Sequence, residues 1–350
     1  MNHTPYRILE GPYLRDILDQ PQALETTLKS FQGDTGLFDR IRGIRRHDHT
    51  RVVLTGMGSS LHALYPLQLM LIAHGEQVTR VDTSELIHCM PGLLDSRTLV
   101  VAVSQSGQSA ETVRLLQQNT QKATVVGVTN TADSLLATQS DLLMLTQCGE
   151  EFSVSAKTYV GTLLALEVLG AAWCGEEAGP LYAELEAGPA LVAGYLEQWR
   201  EHVQSLVAEM ENIRQLFIVG RGRSLASSGT GALITKESTH SPAEAMSSAA
   251  FRHGPLEMAG PATMVLVLEG EARLRALNIK LVRDIRAGGG RAELLGPSAE
   301  IAALRIPDKL TRLLPILEIL PIQMLTLALA AKAGFEAGRF AHATKVTTEE

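Results

Sequence analysis

A strand-like run that ends in a glycine-rich turn occurs near residue 51 and again near residue 215, and this repeat restricts the fold more than any other feature of the chain. RVVLT at 51–55 leads into Gly56-Met57-Gly58-Ser59-Ser60, and LFIV at 216–219 leads into Gly220-Arg221-Gly222-Arg223-Ser224. Three more short apolar runs follow the first, TLVVAV at 98–103, ATVVGV at 123–128 and DLLML at 141–145. The downstream copies are MVLVL at 264–268, AELL at 292–295 and ALRI at 303–306, an offset of about 165 residues throughout. Amphipathic helical stretches lie between several of the runs, and short apolar strands alternating with helices predict parallel sheets covered on both faces. The expectation is α/β, doubly wound and flavodoxin-like, in two tandem domains. A Gly-, Pro-, Ala- and Glu-rich stretch at 174–194 is the expected connection. The domains are placed at 31–180 and 195–345, after a lead-in at 1–30 and before a tail at 346–350.

Composition agrees with a packed enzyme: among 350 residues, 45% are hydrophobic and 20% charged. The net charge of −7 and the lack of a basic stripe argue against a nucleic-acid partner. Cys89, Cys148 and Cys174 have no CxxC spacing, which argues against a zinc site or disulfide framework and for a reducing, cytoplasmic setting. The first residues have neither a basic nor an apolar leader region. The apolar stretch at 313–331 contains Pro315, Glu318, Pro321 and Gln323 and reads as a buried helix, so no membrane partner is expected.

The turn Gly56 to Ser60 has the form of an anion cradle, in which glycines permit a tight turn and helix N-terminal N–H groups face a negative charge. Taken alone, Gly58, Ser59 and Ser60 are equally well ordinary turn and cap residues. The next loop adds to the case. VVAVSQSGQSAET places Ser104, Gln105, Ser106 and Ser109 directly after an apolar strand, at a second helix start. In a doubly wound sheet two such loops converge beyond the carboxyl ends of the strands. Neutral hydroxyls and amides at helix N-termini suit a phosphate monoester. A P-loop is excluded by the missing GK[ST], and a dinucleotide fold by the missing acidic ribose residue.

Together, VLTGMGSS, VSQSGQSAET, FIVGRGRS, GALITKES, FRHGPLE and ATKVTTEE resemble the isomerase half of glucosamine-6-phosphate synthase and stand-alone relatives such as fructoselysine-6-phosphate deglycases. The resemblance spans nearly the whole chain, including YLRDILDQPQAL at 13–24. It implies two sugar-isomerase (SIS) domains, each a five-stranded parallel sheet flanked by helices. It also implies a homodimer with shared active sites, a phosphorylated sugar substrate, and phosphate held by Ser60, Ser104, Gln105, Ser106 and Ser109. No cofactor and no metal are implied.

Moving a carbonyl between C1 and C2 needs one base that transfers a proton through an enediol or enolamine. The resemblance assigns this role to Glu237, which read bare is a charge on a helix face. His253, in FRHGP, corresponds to the family's ring-opening histidine, which reaches the neighbouring subunit's site; read bare it is a loop histidine. Lys345 corresponds to a lysine that folds over the substrate, where an anonymous terminal lysine is a solvated end. VSAKTY at 154–159 resembles a family loop shortened by one residue, which implies that Lys157 and Ser155 lie near the first-domain pocket; Val154 and Lys157 are secondary substrate-binding positions, with Gly58 and Thr344. Glu85 and Glu244 match acidic positions in relatives, but read bare they are surface helix carboxylates. His88, Cys89 and Met90 read as packing, with Cys89 a buried-type cysteine.

The chain departs from the family pattern in ways that bear on the reaction. Ile234 stands where the synthase has a lysine, Gly338 replaces an aspartate, and Ala341-His342 stands where arginine and asparagine are usual. The chain starts shortly before the lead-in, so no glutaminase domain and no glutamine-dependent synthesis are expected. The expected activity is isomerisation or deglycation of an aminated hexose 6-phosphate of the fructosamine 6-phosphate type. The alternatives are a catalytically silent sugar-phosphate sensor and an ammonia-linked amino sugar phosphate isomerase or deaminase.

Overall fold

A computed structural model describes residues 9–45, 49–308, 311–342 and 344–347. Of the expected lead-in, residues 1–8 lie outside the described residues, as do 348–350 of the expected tail. The strands are β1 (Arg51–Gly56), β2 (Val78–Asp82), β3 (Thr98–Val103), β4 (Thr124–Thr129), β5 (Leu142–Leu145), β6 (Gln215–Gly220), β7 (Ala243–Ser247), β8 (Thr263–Leu268) and β9 (Arg291–Leu295). They form two parallel sheets, ordered β2-β1-β3-β4-β5 and β7-β6-β8-β9. Every residue of β3 and of β8 is buried, as expected for β-branched runs in the middle of a sheet covered on both sides.

The chain divides into two compact units, one made of Gln20–Glu151, Ala156–Pro189 and His342–Glu350, the other of Met1–Asp19, Phe152–Ser155 and Ala190–Ala341. In the first unit, Val53, Val100, Ala102 and Val125 of the sheet pack with Leu86, Ile87, Leu115 and Leu136. The helix Lys157–Trp173 of this unit is buried at every position, including its polar ones. In the second unit, Phe217, Val219, Val265 and Val267 pack with Phe251, Leu281, Val282 and Ile285, and the rings of Phe217 and Phe251 meet edge-on at 5.2 Å. The helix Leu314–Ala333 is long and apolar enough to cross a membrane. It is a core helix, with Leu314 to Ala328 buried throughout.

Two features differ from the sequence reading. The second sheet has four strands among the described residues rather than five. ALRI at 303–306 forms instead a 3-10 turn, Ala302–Leu304, tied to the end of β9 by one bond from Gly296 N–H to Leu304 C=O (3.1 Å), and Pro307 removes the next donor. The connection at 174–194 is helical over most of its length, in Ala178–Leu185 and Ala187–Leu196, because its Ala and Leu outweigh the scattered Gly and Pro. Two edge strands, β2 and β7, were not foreseen. Val78-Thr79-Arg80-Val81-Asp82 and Ala243-Glu244-Ala245-Met246-Ser247 are only partly buried, so they lack the apolar run that marks β1 or β3. Glu244 accordingly lies on strand β7 and not on a helix.

Candidate active site

The carboxyl ends of β1 and β3 are adjacent, with Gly56 beside Val103 across the pair. Each feeds a helix start: Gly58–Ala73 after β1, and Ala110–Gln118 after β3 and the loop 104–109. Between them lies a cavity of about 130 Å³ lined by Met57, Ser60, Ser104, Gln105, Ser106, Ser109, Thr112 and Lys345, with Val103, Val346 and Thr347. A single water needs on the order of 15 Å³ by the same measure, so a tetrahedral anion with its first waters can enter.

The loop is shaped by its own serines. Ser104 Oγ accepts from Gly107 N–H (3.1 Å), and Ser106 Oγ accepts from Gln108 N–H (3.2 Å). Ser109 caps the helix Ala110–Gln118 by accepting from Thr112 N–H (3.4 Å), and its hydroxyl lies 2.8 Å from that of Thr112. A hydroxyl that accepts through a lone pair still has a proton to give. Cap geometry and anion binding are therefore compatible at the same serines.

One chain segment distant in sequence, Lys345 to Thr347, completes the cavity. The Thr347 carbonyl accepts from Ala110 N–H at the helix start (3.1 Å). Lys345 Nζ pairs with Glu151 Oε2, across 194 residues of sequence. Glu151 is a buried carboxylate that also accepts from Ala156 N–H (2.9 Å), Thr158 N–H (3.0 Å) and Thr158 Oγ1 (2.7 Å). These donors cluster at the start of the helix Lys157–Trp173, where a negative charge is favoured. Lys345, placed by the sequence reading at the end of the second domain, thus belongs to the first unit, because its charge partner is there. Glu151, Thr112 and the Val346–Thr347 backbone were not singled out from the sequence. The available signal for Glu151 was an acid shortly before a helix start.

The remaining positions lie as follows. Ser59 and Gly58 sit in the first turn of the helix Gly58–Ala73, and neither lines the cavity. Lys157 opens its own helix, 5% exposed, and Thr344 is exposed with its hydroxyl on the Val346 carbonyl (2.8 Å). Val154 is 1% exposed in the segment Phe152–Ser155 of the second unit. Glu237 is half-buried near the end of the helix Ser224–Thr239 in that unit, and Ile234 one turn earlier is fully buried. His253 is exposed in the turn after Phe251, its N–H on the Ala250 carbonyl (2.9 Å) and Gly254 following. Cys89 is exposed and not buried, since the short helix Thr83–Cys89 buries only Thr83, Leu86 and Ile87; Glu85 lies on this helix. Among the described residues, no group of three His, Cys, Asp or Glu side chains is placed to hold a metal ion.

Over 349 residues, 96% of its length, the chain is 28% identical to a glutamine–fructose-6-phosphate aminotransferase (isomerizing) of Pyrococcus horikoshii, and it spans 57% of that protein. Among solved structures, the C-terminal domain of glucosamine-fructose-6-phosphate aminotransferase from Francisella tularensis superposes with a TM-score of 0.82 at 21% identity, covering 94% of this chain and 98% of that one. A glucosamine-6-phosphate deaminase from Thermotoga maritima superposes at 0.79 with 18% identity, covering 97% and 100%. The model of the SIS domain family matches residues 46–172, the stretch that contains both cradle loops, and this part of the chain is a SIS domain.

Proposed function

We propose that the chain is a cytoplasmic phosphosugar isomerase or deglycase that acts on an aminated hexose 6-phosphate, of the fructosamine 6-phosphate type, through an enediol or enolamine. The observation that carries this reading is the cavity at the ends of β1 and β3, lined by four serines, two threonines, a glutamine and one lysine. Hydroxyl donors at two helix starts suit the phosphate, and Lys345 suits the open-chain sugar. The names of the similar proteins, an isomerizing glutamine–fructose-6-phosphate aminotransferase and a glucosamine-6-phosphate deaminase, point to the same substrate class.

In this reading Glu237 removes a proton from C1 or C2 and returns it to the other carbon, and His253 opens the sugar ring from a neighbouring copy in a homodimer. For a C1-aminated fructose 6-phosphate, the shift gives an aldimine that water cleaves to an aldose 6-phosphate and free amine. The second unit is, in the same reading, a diverged second SIS domain: β7-β6-β8-β9 repeats the order β2-β1-β3-β4. The test is turnover of glycated amine 6-phosphates and amino sugar phosphates, with Glu237→Gln beside the unsubstituted chain. Loss of turnover with hexose 6-phosphate binding retained is expected, and undiminished turnover would sink the assignment. The burial of apolar Ile234, where the resemblance places a lysine, favours a second reading, a silent sugar-phosphate sensor. Binding of fructose 6-phosphate with no turnover on that panel would select it.

A further inference from the structure

The loops at the carboxyl ends of β6 and β8 occupy, in the second sheet, the places that Gly56–Ser60 and Ser104–Ser109 occupy in the first. β3 ends at Val103 and β8 at Leu268, 165 residues later, so Glu269-Gly270-Glu271 falls where Ser104-Gln105-Ser106 stood. The chemistry has been inverted. Hydroxyl donors are replaced by carboxylates, and each carboxylate is used inside the protein.

Glu271 Oε2 accepts from Arg223 N–H (3.2 Å), the residue just ahead of the helix Ser224–Thr239. The carboxylate is held so close to the turn that a Cβ on Gly222, where φ is +58°, would lie 2.1 Å from Oε2. Arg273 is 3.5 Å from the other oxygen, and the Glu271 side chain is 13% exposed. Glu269, with a side chain 0% exposed, pairs with Arg275 (2.7 Å) and accepts from Ser298 N–H (2.7 Å) and Ser298 Oγ (2.9 Å). Further inside, Ser224 Oγ and Ser227 Oγ donate to the buried Glu318 at 2.7 and 2.9 Å. The helix-start donors that would face a phosphate in this unit therefore already face carboxyl groups of the chain itself.

We propose that Glu271 is a built-in replacement for the bound anion: its carboxylate fills the second cradle, so that each chain takes one phosphosugar, in the first unit. The phosphate role of the first cradle rests on the function proposed above, but the closure of the second is tested independently of it. Inorganic phosphate is the probe, measured by equilibrium dialysis on the full chain with Ser104→Ala and Ser106→Ala, which disable the first cradle. Adding Glu271→Ser to this background is expected to create phosphate binding about tenfold tighter than in its parent, the scale of one charge-assisted hydrogen bond regained. A folded Glu271→Ser chain with no gain overturns the proposal, as does a second phosphate bound by the unsubstituted chain. If Glu271→Ser does not fold, the amide resonance of Arg223 in the unsubstituted chain decides. It is expected to be indifferent to saturating phosphate; movement with phosphate overturns the proposal. A chain whose first cradle binds no phosphate would instead remove the proposed function and leave the Glu271 result standing.

Discussion

At the residue scale, two buried positions carry specific expectations. Burial pushes the Glu318 carboxyl up to about 8, against the lowering effect of its bonds from Ser224 and Ser227. The folded chain therefore keeps a proton that the unfolded chain loses above its ordinary value of 4.5. Stability from this group is complete at low pH, falls by up to about 1.4 kcal/mol per unit as pH rises toward 8, and is flat beyond. Urea unfolding at several pH values in this window should show a shallower slope for Glu318→Gln than for the unsubstituted chain. Gly338, which departs from the family's aspartate, has φ +75°, and a Cβ there would lie 2.3 Å from Ser153 Oγ and 2.8 Å from Tyr13 Cβ. Gly338→Asp is expected to lower stability by about 2 kcal/mol, combining backbone strain with displacement of Tyr13 or Ser153. An unchanged denaturation midpoint would show that the loop relaxes without cost.

At the element scale, helix starts matter most. Ser109 caps the helix Ala110–Gln118, and Ser134 caps the helix Leu135–Gln139 by accepting from Ala137 N–H (3.2 Å). Replacing either with alanine should cost about 1 kcal/mol of stability. Only Ser109→Ala should also weaken hexose 6-phosphate binding, by about tenfold for one lost donor to a charged group. Equal affinities in titration calorimetry would reduce Ser109 to a cap. The same contrast explains what could be read from sequence at this scale. The central strands were legible as apolar runs, whereas the edge strands β2 and β7 were not, because half-exposed strands need no such run. The repeat itself held the missing signal, since β2 begins at Val78 and β7 at Ala243, 165 residues later.

At the scale of the whole molecule, the chain's end belongs to the unit formed near its beginning. Removing residues 342–350 would take away Lys345 and leave Glu151, whose side chain is 0% exposed, with the backbone and hydroxyl donors of Ala156 and Thr158. Lys345 is 24% exposed, so solvent screens part of the pair, and a loss of about 2 kcal/mol is expected on truncation. Adding Glu151→Gln to the truncated chain should recover part of that loss, which thermal unfolding of the three chains would show. Failure to recover would mean that Glu151 is satisfied by its other donors alone.

What the sequence by itself determined is local and periodic: the repeated strand-turn-helix order, the central strands, the two donor-rich loops after β1 and β3, and the burial of the long apolar helix. These follow from side-chain pattern and turn chemistry over a few residues, which a chain carries wherever it is read. Tertiary structure alone decided which distant groups meet. It brought Lys345 to Glu151, set the Thr347 carbonyl at the helix start of Ala110, and placed the Glu271 carboxylate on the Arg223 N–H. A charge has no periodicity, and its partner is settled only when packing removes both from water.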